Sequence, residues 1–76
     1  MLKNIINITI YKSGSHYVAE CLGLPVISQG VNLDETVHNI KEALSLHLDG
    51  ENMSEHGFID KPIVNINMDL GEFEYA

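Results

Sequence analysis

Cysteine occurs once in this sequence, at position 21, so no intrachain disulfide can form. Its place in an alternating segment reads as a small buried hydrophobe rather than a reactive thiol. Basic residues are also scarce: Lys3, Lys12, Lys41 and Lys61 are the whole set. Four scattered cations make no phosphate-binding patch, and direct nucleic-acid binding is not expected. No apolar run reaches the ~18 residues needed to span a bilayer. The N-terminal MLKNIINITI lacks the long apolar centre and small-residue cleavage site of a secretory signal. A cytoplasmic protein without membrane contact is expected.

Signatures of catalysis are missing as well. The serines at 13, 15, 28, 45 and 54 have no Gly-x-Ser-x-Gly setting, and the glycines form no phosphate-cradling loop. His38 and His47 are nine residues apart, which at helical spacing puts them on opposite sides of a helix. No His-x-x-x-His or Cys/His pair has zinc spacing. The expectation is therefore a protein that is not an enzyme, with no catalytic residue, metal or cofactor.

What is present fits one small globular domain: 76 residues, 45% of them hydrophobic. The net charge of -7 is unevenly placed. Residues 1–48 set Glu20, Asp34, Glu35 and Glu42 against three lysines, for one net negative charge. Residues 49–76 set Asp49, Glu51, Glu55, Asp60, Asp69, Glu72 and Glu74 against Lys61 alone, for six. Such a surface steers towards a basic partner, and plain solubility is the other account of it.

Alternation of Ile6, Ile8 and Ile10 with Asn7 and Thr9 predicts a strand over Asn4–Tyr11 with one buried face. A turn at Lys12-Ser13-Gly14-Ser15 leads into a second strand, His16–Leu22, paired as a hairpin. Tyr17, Ala19 and Cys21 are assigned to the core face, and Val18, Glu20 and Leu22 to the other. Gly23-Leu24-Pro25 interrupts the pattern before a short third strand, Val26–Gln29, closed by Gly30. Asn32 and Glu35 form an Asn-x-x-Glu capping box. Leu33, Val37, Ile40, Leu44 and Leu48 fall on one helical stripe, with Ala43 beside it and Gly50 placed for a left-handed cap. Leu46 projects from the polar side. Residues 50–61 read as a long, polar, mobile connection. Pro62 then opens a last strand, Ile63–Met68. The sum is an α+β domain over residues 1–70: a two-layer β-β-β-α-β arrangement, an antiparallel sheet with one helix on one face. Residues 71–76 form an acidic C-terminal tail. The sheet's other face mixes Asn7, Thr9, Glu20, Asn65 and Asn67 with Ile5, Val18 and Ile63, which suggests an oligomeric or partner contact.

The order of these words resembles the HicB-type antitoxin family, also described as a small uncharacterised α/β family (UPF0150). The matching residues are Tyr17-Val18-Ala19-Glu20, Leu24-Pro25, Gln29-Gly30, Leu33-Asp34-Glu35 and Asn39-Ile40-Lys41-Glu42-Ala43, within a segment, 17–43, that spans about a third of the chain. The resemblance implies a partial ribonuclease-H-like fold and an antitoxin that covers a small basic HicA-like toxin, an mRNA-cleaving ribonuclease. Nuclease chemistry itself needs clustered carboxylates for divalent metals, and the first strand carries none. The chain stops eight residues after Met68, so the family's DNA-binding autorepressor role is not expected. The residues expected to meet the toxin are Glu20, Asp60, Asp69, Glu72 and Glu74, with Phe73 and Tyr75 as anchors. Homo-oligomerisation through the open face or an edge strand is expected beside it. The alternative is a stand-alone oligomeric scaffold or ligand-binding module of the same fold, without a toxin.

Overall fold

The alternating isoleucines form β1 (Lys3–Ser13), with Ile6, Ile8 and Ile10 each at most 2% exposed. A computed structural model describes residues 1–73 of the chain. A two-residue turn, with Gly14 at φ 62°, joins β1 to β2 (His16–Cys21), and Ser13 lies opposite His16. Positive φ at that corner suits the twist of an antiparallel hairpin and is easiest for glycine. β3 (Ile27–Gly30) pairs antiparallel with β2, α1 runs over Leu33–Leu48, and β4 covers Phe58–Asp69. The sheet order is β3-β2-β1-β4, so the β-β-β-α-β layout is as expected.

One part of the expected layout needs correction: the sheet is mixed, because β4 pairs parallel with β1. Successive antiparallel pairings make β3 run the same way as β1. The helix then carries the chain back, and β4 starts again in that direction on the far side of β1. A helical crossover leads to a parallel partner, whereas only tight turns enforce antiparallel ones.

The segment expected to be a polar connection is largely structured. Met53–His56 forms a 3-10 turn, and β4 begins at Phe58, not after Pro62. Phe58 is 2% exposed and belongs to the core, which anchors this segment. The ladder jumps between Lys3↔Phe58 and Ile5↔Ile63, leaving residues 59–62, which include Pro62, outside the regular pairing. Proline has no N–H for the ladder, and a bulge accommodates it.

Local chemistry fixes the helix. The Asn32 side chain accepts from the Glu35 amide at 2.8 Å, the Asn32 half of the capping box. Asp34 and Glu35 lie at the positive end of the helix dipole, and Gly50 takes φ 72° just past Leu48. Ile40 and Leu44 are buried as the stripe predicts, while Leu33 is exposed and Thr36 is fully buried in its stead. Gly30 is the reason. A Cβ there would lie 2.6 Å from the Thr36 hydroxyl oxygen and 2.7 Å from its amide nitrogen, so only glycine lets β3 and α1 approach this closely. The buried hydroxyl donates to the Asn32 carbonyl at 2.7 Å, which removes the cost of burying it. Leu24, Val26 and Ala19 complete the core between helix and sheet. The helix packs chiefly on β3 and β2, leaving Val64, Ile66 and Met68 of β4 exposed on the same face.

Candidate binding face

Alternation along the strands, combined with their register, brings side chains from three strands into rows on the face away from the helix. One row runs Glu20, Thr9, Asn67, and the next runs Val18, Tyr11, Asp69. Asn7 stands beside Asn65, and Ile5 beside Ile63. The face is thus polar at its centre with apolar residues at its margins, including Ile27, which is opposite Glu20 on β3.

Tyr11 links the two acidic positions. Its hydroxyl donates to Glu20 Oε1 at 3.1 Å, and its backbone is in register with Asp69 on the other side. The tyrosine's pKa is raised above its ordinary value, first by this hydrogen bond, then by desolvation and by the nearby carboxylate charge. Two carboxylates around a phenol form a surface suited to accepting a cationic side chain, with the ring as an apolar and π contact.

Of the residues expected to meet a partner, Glu20 and Asp69 share this face, although they come from opposite halves of the chain. Asp69 also accepts from the Gly71 amide at 2.8 Å, bending the chain as it leaves β4. Glu72 and Phe73 follow that bend and are exposed. Asp60 does not join them. It lies at the opposite end of β4, on the rim of a groove of about 330 Å³ that Leu44, Leu48, Met53 and Val64 also line. Glu74 and Tyr75 lie outside the described residues.

Tyr11 is the contact that sequence reasoning missed. Alternation places it on the polar face, but its bond to Glu20 depends on a hairpin register fixed by turn length. A second pair also escaped notice. The rings of His47 and His56 come within 5.8 Å, and His56 Nε2 lies 3.6 Å from Glu51 Oε1. The 3-10 turn folds back on the helix end to bring them together. Among the described residues no group of three or more His, Cys, Asp or Glu side chains could hold a metal ion. Cys21 is half-buried against the core, and burial pushes its thiol above the usual value, partly offset by a hydrogen bond from the Leu24 backbone. A raised thiol pKa keeps it protonated near neutrality and disfavours nucleophilic chemistry. Comparison with protein-family models, curated proteins and solved structures gave no match.

Proposed function

We propose that this chain is a HicB-like antitoxin-type protein that binds and neutralises a small basic mRNA-cleaving toxin by forming a stoichiometric complex. The observation that supports the reading is the face on which Glu20 and Asp69 flank Tyr11, within a chain carrying seven net negative charges. Lysine and arginine side chains of a basic ribonuclease would meet carboxylates there, and Ile5, Val18 and Ile63 would supply apolar contact around them. Covering the toxin's basic surface denies it the RNA backbone, so inhibition needs no catalysis by the antitoxin. Glu72 and Phe73 extend the surface beyond the end of β4, and Asp60, on the helix side at the strand's other end, would make a separate contact. No described helix is long and apolar enough to cross a membrane. The proposed place of action is the cytoplasm, where the toxin's RNA substrate lies.

The test is titration of the purified chain against a co-encoded small basic ribonuclease, reading both binding and RNA cleavage. Inhibition should saturate at a fixed ratio, and association should slow with added salt. Glu20→Lys should weaken binding by about tenfold, because it places like charges together at the interface. An absence of both binding and inhibition would sink the reading. The uncovered strand β4 supports a second one, an oligomeric scaffold or ligand-binding module without a toxin. A neighbouring gene for a short basic protein favours the first, and its absence the second.

A further inference from the structure

The two edges of the sheet are treated differently. β3 is four residues long, packs under α1, and has its Gln29 carbonyl engaged by the Asn39 side-chain amide at 2.8 Å. β4 is twelve residues long and, among the described residues, pairs on one side only, with β1. From Ile63 to Met68 it carries no charged residue and no proline, the usual means of blunting an edge. Its side chains are open on both faces: Val64 is 43% exposed, Ile66 36% and Met68 42% on the helix side, and Ile63 67% on the other. A long apolar edge with unused backbone donors and acceptors is a template for another strand.

We propose that β4 pairs antiparallel with β4 of a second copy, around a two-fold axis at Asn65, to form a continuous eight-stranded sheet. The strand's own charges select this occupant and this register. Asp60, Pro62 and Val64 line one groove, so alternation continues through Pro62 and Lys61 shares the face of Ile63. Centred on Asn65, Lys61 then falls opposite Asp69 of the other copy, and symmetry repeats the pair at the other end. Centring on Val64 would oppose Lys61 to Asn67 and Asp69 to Ile59. Centring on Ile66 would oppose Lys61 to Gly71 and Asp69 to Ile63. Only the Asn65 register pairs Lys61 with Asp69, since a strand's outward backbone groups recur at every second residue and exclude half-residue offsets, and it leaves Asp60 opposite the uncharged Leu70.

The same register sets Val64 against Ile66 of the second copy on the helix side. The uncovered stripes of both copies then merge into one apolar band between the two helices. On the other face the two Asn65 amides meet at the axis, each able to donate and accept. A 76-residue chain leaves much of its surface unburied, and strand-edge association is a direct supplement to such a core. The pairing does not depend on a toxin partner, so its failure and that of the antitoxin reading are separate results.

The test uses the full chain in sedimentation velocity at about 100 μM, where even a Kd in the tens of micromolar shows as dimer. The expected species is a dimer. Lys61→Asp should raise the dissociation constant about tenfold, because it turns both exposed pairs repulsive. Adding Asp69→Lys should recover most of that loss, with circular dichroism showing each variant folded. Cysteine placement supplies a second readout in a Cys21→Ser background. Asn65→Cys should form a disulfide-linked dimer under mild oxidation, since directly opposed residues have Cα atoms about 4.5–5.5 Å apart. Asn67→Cys, on the same face and also exposed, should not. A monomeric wild type overturns the proposal. So does a dimer indifferent to Lys61→Asp, or one in which Asn67→Cys links as readily as Asn65→Cys.

Discussion

The phenol of Tyr11 is both a donor to Glu20 and an acid, so its titration reports on the open face. Its raised pKa means the bonded neutral form is favoured, and the bond persists until pH climbs through the tyrosine's own titration. Glu20→Gln removes the charge and weakens the acceptor. Tyr11 should then ionise at lower pH, nearer its ordinary value, as an ultraviolet titration of tyrosinate would reveal. An unchanged profile would mean that the carboxylate does not govern this residue. At this scale the sequence revealed side-chain orientation well and partnership poorly. Ile6, Ile8 and Ile10 declare a buried face by alternation alone. Thr36 and Phe58 did not: a threonine looks polar until its hydroxyl finds the Asn32 carbonyl, and Phe58 sits in a polar run whose fold-back only the 3-10 turn explains.

Among the elements, β3 and α1 are held by an approach that tolerates no extra atom. Gly30→Ala places a methyl against the Thr36 backbone as well as its hydroxyl, so rotating a side chain cannot relieve the clash. We expect a loss of roughly 1–3 kcal/mol in chemical denaturation, with the fold retained. A loss below a few tenths would show that the helix can shift freely on the sheet. The capped helix was legible because capping is local chemistry: Asn32 and Glu35 are three residues apart in any protein. Strand direction was not, since a period of two is the same whichever way the chain runs. Pro62 misled for a related reason. Its missing donor suggested a strand beginning, whereas β4 passes through it by breaking register.

At the scale of the whole fold, four strands share one α-helix among the described residues, and that helix packs chiefly on β3 and β2. The shortfall leaves the Val64, Ile66 and Met68 stripe available on the helix side, in addition to the mixed face that alternation predicts on the other side. The carboxylates that dominate the second half of the chain are divided by the fold. Asp69 and Glu72 gather at one end of β4 and Asp60 lies at the other, so the acidic end of the sequence does not become a single acidic patch.

The parallel ladder between β1 and β4 joins residues 3–11 to residues 58–69, nearly the two ends of the chain. The β1–β2 hairpin can close as soon as a two-residue turn forms, and β3 follows from nearby residues. β4 has to wait for the helix, because long-range closure costs entropy that only the finished sheet repays. Until then the outer edge of β1 is an open template, on which β4 of another molecule could dock in place of its own. Ile66→Val should therefore speed unfolding and leave the refolding rate nearly unchanged in stopped-flow measurements, marking β4 as the late strand. During synthesis, β1 remains unpaired on one side until β4 has left the ribosome.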